Sequence, residues 1–266
     1  MGLARDCYAG KVTNAGATIT AVTLATGDTN TVRNFNPPAQ AWIDQLVRTG
    51  ATSGIIRVRS PLMYDNVQGI RATLSESPGA FLFGPDVAER VYSQDTLTTE
   101  LTGGGAESDI AVVSIYYQDL PGANARLHMW SDILPLIEHV AVVEVDITNS
   151  ATIGAWTDTA INASFDNFKA NRDHAILGVV SDTAIAGIAV KGPDTSNLRC
   201  LMPPHKTSFE SAEANIRLSQ AHNLPYIPVF NSANKASTFI STVDAVASST
   251  PKISVVLGLL STNLSN

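Results

Sequence analysis

Residues 43–61, IDQLVRTGATSGIIRVRSP, return in the second half of the chain as residues 176–193, ILGVVSDTAIAGIAVKGP. Ile43 falls on Ile176, Val47 on Val180, Ala51 on Ala184, Gly54 on Gly187 and Ile55 on Ile188, always 133 residues apart, which is half of the 266-residue chain. One residue is then lost, so that Arg59, Ser60 and Pro61 meet Lys191, Gly192 and Pro193. A second match lies near the end of each half, where Ile110, Val112 and Val113 fall on Ile253, Val255 and Val256. The period is far too long for a solenoid repeat. It predicts one ancestral unit in two degenerate tandem copies, the second carrying about ten extra residues between the two markers.

The local patterns say that the unit is β. Residues 11–33 are rich in Thr and Val, with Gly, Asn and Asp punctuation, and predict strand, turn, strand. The break Asn34–Pro38 follows, since prolines supply no ladder donor. The marker itself predicts two strands joined near Thr49–Ser53. In the second of them Ile56 and Val58 face one side and Arg57 and Arg59 the other, either as a solvated face or as a contact row for an acidic neighbour. Residues 91–102 predict a strand turned by Gly103-Gly104-Gly105, and residues 110–117 a strand buried on both faces.

The first unit ends at Leu120-Pro121-Gly122, and the boundary is expected between Gly122 and His139: residues 1–125 form the first unit, 126–139 a linker and 140–266 the second unit. A short helix is expected over Ser131–His139, capped by Ser131 or Asp132 and limited by Pro135. Val140–Thr148 alternates clearly and predicts the first strand of unit two. Residues 162–172 fit a short helix or an irregular loop equally.

The strongest helix signal is Ser208–His222. Thr207 and Glu210 could form a capping box, Phe209, Ala212, Ile216 and Leu218 give an apolar stripe, and Asn223 followed by Pro225 ends it. Unit one has only loops at this place, so the helix accounts for much of the extra length of unit two. Strands are expected again at Tyr226–Phe230 and Ile253–Leu260.

Composition narrows the function classes. Charged residues are only 15% of the chain, where about a quarter is usual, which fits a surface covered by neighbouring subunits or a polar β surface rich in Thr, Ser and Asn. A net charge of −7 without a basic arm argues against direct nucleic-acid binding. Cys7 and Cys200 lie far apart and are expected as free thiols. Without an apolar leader or an 18-residue apolar run, the chain is expected to be intracellular in origin, soluble and unprocessed. The glycosylation sequons at Asn162 and Asn263 carry no weight without a secretory signal.

Recognisable catalytic patterns are missing. His128, His139, His174, His205 and His222 have no metal-ligand spacing, so no metal or cofactor is expected. The triple glycine lacks the Lys-Ser/Thr of a phosphate loop, and Gly50–Gly54 does not have the spacing of a nucleophile elbow. Asp194-Thr195-Ser196 could serve one half of an aspartic-protease dyad, but Leu62-Met63-Tyr64 stands at the counterpart. No catalytic residue is assigned, and the chain is not expected to be an enzyme.

Two successive β units with short strands, Pro/Gly-rich loops and one insertion helix, together with phrases such as Lys191–Asn197 (KGPDTSN) and Ile227–Asn234 (IPVFNSAN), resemble the double jelly-roll major capsid proteins of tailless icosahedral viruses and phages. The resemblance covers nearly the whole chain, which is short for that family. It implies an all-β fold of two tandem jelly-roll β-sandwiches with one or two short insertion or linker helices. It further implies a homotrimer whose six jelly rolls make a pseudo-hexameric block in an icosahedral shell, assembled in the host cytoplasm. Implied partners are further copies of the chain, penton or minor shell proteins, and an internal membrane beneath the shell. Alternatives are a minor shell, spike or decoration protein of a virion, or a carbohydrate-binding β-sandwich. Against the last, aromatics are only 6% of the chain, and Trp42, Trp130 and Trp156 are isolated from one another.

Overall fold

In a computed structural model of the chain, described at all residues except 1, 14–15, 51–52, 75–78, 104–107, 164, 166, 181–182, 204–207 and 266, the two halves are two β-sandwiches. The strands of the first half are β1 (Ala4–Thr13), β2 (Thr20–Ala21), β3 (Thr23–Leu24), β4 (Gln40–Thr49), β5 (Gly54–Arg59), β6 (Ile70–Leu74), β7 (Gly79–Leu82), β8 (Arg90–Val91), β9 (Thr98–Leu101) and β10 (Ser108–Gln118). The second half has β11 (Leu127–His128), α1 (Trp130–Ile133), β12 (Ile137–Asp146), β13 (Trp156–Ala160), β14 (Asp173–Val180), β15 (Ile185–Lys191), β16 (Cys200–Met202), α2 (Ser208–His222), β17 (Ile227–Asn231), β18 (Phe239–Asp244) and β19 (Lys252–Leu260).

Each sandwich has a larger and a smaller sheet. In the first, the larger sheet runs β3-β1-β10-β4-β7, with β8 also on β4, and the smaller runs β2-β9-β5-β6. In the second, the larger runs β11-β17-β14-β19-β12 and the smaller β13-β18-β15-β16. With β3, β8 and β11 set aside, the orders are identical: β1-β10-β4-β7 maps onto β12-β19-β14-β17, and β2-β9-β5-β6 onto β13-β18-β15-β16. Alternation explains each core, since every second residue faces inward. Leu46, Ile56, Val58, Leu101, Val113 and Ile115 fill the first core, and Val143, Val179, Ile188, Val190, Val255 and Leu257 the second.

The duplication survives with two corrections of register. Ile43 and Ile176 both face the core of their sandwich, and the bulged residues of β4 and β14, Asp44 and Leu177, are also 133 apart. In β5 and β15, however, the inward residues are Ile56 and Ile188, so the lost residue falls before Ile55, and Gly54 and Gly187 sit one place apart on equivalent strands. The second marker also slips by one. Ile110 and Val112 face outward whereas Ile253 and Val255 face inward, and the true counterparts of Ala111 and Val113 are Ile253 and Val255. In a strand a slip of one exchanges the two faces, and runs of Val and Ile hide it.

Other expectations change locally. The first strand starts at Ala4 and is followed only by the two-residue strands β2 and β3. Residues 91–102 are not one strand. A turn with Gln94 at φ +60° separates β8 from β9, where Asp95 accepts from the Ser60 hydroxyl. The helix over Ser131–His139 shrinks to α1 and a single 3₁₀ turn at Leu134–Leu136, because Ile137 already pairs with Leu260. Neither Ser131 nor Asp132 caps α1. Its N-terminal Trp130 amide donates to the Ser219 hydroxyl of α2 at 2.8 Å.

α2 has the bounds that its sequence predicts. Asn223 at φ +48° ends it in the left-handed region that asparagine tolerates, and Pro225 follows. Thr207 of the capping box and the side chain of Phe209 lie outside the described residues, as do His205 and Gly104-Gly105. α2 packs on β14 at Gly178, where a Cβ would come within 2.4 Å of the Ala212 amide nitrogen, so only glycine lets the helix this close.

Candidate interaction surfaces and the charged seam

The two sandwiches meet face to face along an apolar seam. The outer face of the first larger sheet, with Cys7, Ala9, Val47, Ile110 and Val112, packs on the outer face of the second smaller sheet, with Ala186, Ala189, Leu201 and Val243. This is why residues 110–117 read as buried on both faces. Gly187 is one of the residues that permits the approach, since its missing Cβ would stand 2.9 Å from a Val112 methyl. Gly54 is needed for another reason, because a Cβ there would strike the guanidinium of Arg48, which is buried against Asp109 at 2.7 Å.

Charged groups lock the seam. Arg5 on β1 is 1% exposed and donates to Asp44 on β4 at 2.9 Å, to Gln45 and, across the seam, to the Cys200 sulfur at 3.5 Å. Burial opposes the charge on Arg5, but Asp44, with Cys200 and Tyr226 nearby, outweighs it and holds the guanidinium above its ordinary pKa. An aromatic stack seals this cluster: Trp42 lies 4.7 Å from Tyr116, and Tyr116 lies 5.2 Å from Tyr226 of the other sandwich. Further along, Asp28 accepts from Trp156 at 2.7 Å and from Arg199 at 2.8 Å, both from the opposite sandwich. Both cysteines are free and buried at the seam, and burial pushes their thiols up.

Arg126, just before β11, donates to both oxygens of Asp173 at 3.0 and 2.6 Å and to the Leu264 carbonyl. Asp194, from the turn that suggested a protease, accepts from the Asn231 amide and from Asn234 at 2.9 Å. Its carboxylate therefore ties together the two phrases KGPDTSN and IPVFNSAN and serves the framework. His174 stacks on Phe230 at 5.4 Å, His139 is exposed on β12, and His222 lies over Gly84 with Asp86 3.7 Å away. Among the described residues no cluster of His, Cys, Asp and Glu is placed to hold a metal ion, and no helix is long and apolar enough to cross a membrane.

The ion pairs give an acid dependence of known sign. Burial pushes the Asp173 carboxyl up, but Arg126, Asn231 and the Leu264 amide outweigh it and hold it below the ordinary range. Burial is likewise outweighed at Glu100 by Arg59 and Arg57, and at Asp158 by Lys191 and Ser241. At Asp28 and Asp244 burial wins and the carboxyls stand high, so their contribution runs the other way and is lost as pH rises. A depressed carboxyl stabilises the fold fully above its unfolded value of about 4 and loses that contribution as pH falls through its lower folded value. Unfolding free energy measured against pH is therefore expected to drop below about pH 4. Asp173→Asn should flatten that limb, and an unchanged slope would show that Asp173 does not titrate there.

Two outward faces stand at the ends of the molecule. On the first smaller sheet, Arg57 and Arg59 both reach Glu100 of β9, at 2.7 and 3.1 Å, so the acidic neighbour of this row lies within the chain. Exposed Arg71 of β6 stands directly opposite Arg57 in register. On the second larger sheet, α2 covers β14 and β19 but leaves β12 bare, with Val140 at 54% and Val142 at 52% exposure. The alternation of Val140–Thr148 was visible in the sequence, but not that its outward half lies open. Clefts of about 510 Å³ and about 610 Å³ lie beside the Asp6–Arg33 pair and between β7 and α2, respectively.

No protein-family model and no curated protein matches the sequence. Among solved structures the chain is similar to the STIV MCP, at 10% identity over 96% of this chain and 97% of that one, with a TM-score of 0.20. It is also similar to the PBSX exported protein XepA, at 7% identity over 93% and 88% of the two chains, TM-score 0.22. A third similarity is to a chain in the atomic structure of Sulfolobus Turreted Icosahedral Virus, at 10% identity over 98% and 81%, TM-score 0.25.

Proposed function

We propose that this chain is a viral structural protein, a double jelly-roll major capsid protein whose trimers form pseudo-hexameric blocks of an icosahedral shell. The observation that carries the proposal is the shared strand order: each sandwich pairs one sheet of order β1-β10-β4-β7 type with one of order β2-β9-β5-β6 type, the wrapping expected of a jelly roll. A division into two units is supported by the end of β10 at Gln118 and the first pairing of β11 at Leu127. Two such units fused along one seam give a three-fold assembly six nearly equivalent lateral edges, and closed symmetry then covers surface that a low-charge chain would otherwise leave bare. The part is structural rather than enzymatic, and its place is the virion.

The test is the mass of purified protein by light scattering behind a sizing column, with the peak imaged by electron microscopy. Trimers or closed shells are expected. A monomer at every concentration would overturn the proposal.

A further inference from the structure

The four sheets lie in a fixed sequence of layers: first smaller, first larger, second smaller, second larger. The seam in the middle joins a larger sheet to the smaller sheet of the following sandwich. The two faces left at the ends are the first smaller and the second larger sheet, which are the same two kinds of face. A contact of this head-to-tail kind can repeat between copies and closes into a ring when its rotation divides the circle.

The strands that meet in the seam say which ones would meet between copies. There β1 lies against β16. The equivalent of β1 is β12, and the equivalent of β16 is β6. On β12 of the second larger sheet the outward residues are Val140, Val142, Glu144 and Asp146, paired in register with Gly258, Val256, Ser254 and Lys252. α2 occupies the β14 side of that sheet, so a partner is confined to β12 and the exposed Leu134 beside α1.

Charge matches the two faces. On the β5–β6 face two arginines share Glu100 and a third, Arg71, stands across from Arg57, a like-charge opposition that an anionic partner would relieve. On the β12 face two carboxylates share one lysine: Lys252 lies 3.8 Å from Glu144 and 3.2 Å from Asp146. Among the described residues, the β5–β6 face thus sets three arginines against Glu100, and the β12 face sets Glu144 and Asp146 beside Lys252. β12 is also a ten-residue edge strand with apolar residues outward, which soluble proteins ordinarily cover or charge along its length. Its counterpart β1 has that edge covered by β3.

We propose that the β12 face of one copy seats the β6 face of a second copy, with Glu144 and Asp146 against Arg71 and with Val140 and Val142 as the apolar centre. The assignment rests on the trimeric shell proposed above and names the surfaces that build it. Arg71→Glu and Glu144→Arg are both exposed changes, and each is expected to leave the unfolding midpoint of the dissociated chain in place while weakening self-association roughly tenfold or more in sedimentation. The Arg71→Glu/Glu144→Arg double variant should recover assembly. A chain carrying Arg71→Cys and Glu144→Cys should form disulfide-linked oligomers under mild oxidation. If wild-type protein assembles but neither single variant weakens it, or if the double variant is no better than the singles, this pairing is overturned and the shell stands. If wild-type protein stays monomeric at every concentration, both fall.

Discussion

Replacing Asp44 with alanine is expected to destabilise the chain by about 3–5 kcal/mol, because it leaves the Arg5 guanidinium buried without its counter-charge. Arg5 and Asp44 are each 1% exposed, and after the change, among the described residues, Gln45 at 3.4 Å and the Cys200 sulfur at 3.5 Å would remain as acceptors. Neither carries a carboxylate's charge. The loss would be a large part of a typical domain stability of about 5–15 kcal/mol. Removing both partners together, as in Arg5→Met with Asp44→Leu, abolishes the need for compensation and should be far milder, close to neutral or stabilising. Urea unfolding of the two variants beside the wild type decides it. An Asp44→Ala protein within about 1 kcal/mol of wild type would mean that water reaches the guanidinium.

The second large effect belongs to Val113. It sits at the middle of β10, opposite Tyr8 of β1 and Leu46 of β4, with its side chain in the first core. An unpaired carboxylate there costs several kcal/mol, on the order of the whole domain's stability, so Val113→Asp should yield no soluble folded protein. Val142→Asp supplies the control. It is the same chemical change on the exposed face of β12 and should alter unfolding of the dissociated chain by no more than about 0.5 kcal/mol. Soluble, cooperatively unfolding Val113→Asp would contradict the placement of β10 between two strands of a closed core.

Why some of this was legible in the sequence follows from which interactions are local. α2 was readable to the residue because its stop signals, Asn223 and Pro225, act on neighbouring backbone. The correspondence of β4 to β14 was readable because both copies keep an inward Ile at positions 43 and 176, and the fold even keeps the bulge that comes next. The one-residue slip at Ile110 against Ile253 was not readable: β10 is apolar on both faces, one for its own core and one for the seam, so hydrophobicity could not tell the faces apart. The partners of the charged residues were hidden for another reason. Glu100 is 41 residues from Arg59, and Asp173 is 47 from Arg126, separations that only the strand order closes. The candidate contact faces were the least legible of all. Whether Val142 meets solvent or a neighbour depends on how far α2 spreads across its sheet, and a helix's reach is not written in the strand it leaves bare.

The position of the two thiols gives the molecule an internal clock. Cys7 and Cys200 come from different halves and both lie at the seam, buried and with their pKa values raised, so an added thiol reagent meets neither while the sandwiches are docked. Their labelling rate is therefore set by how often the halves part. Because the intermolecular contact proposed above is built from the same kinds of sheet faces, slow labelling in the isolated chain and slower labelling after assembly would report, on one time axis, how much rigidity the ring returns to each subunit that joins it.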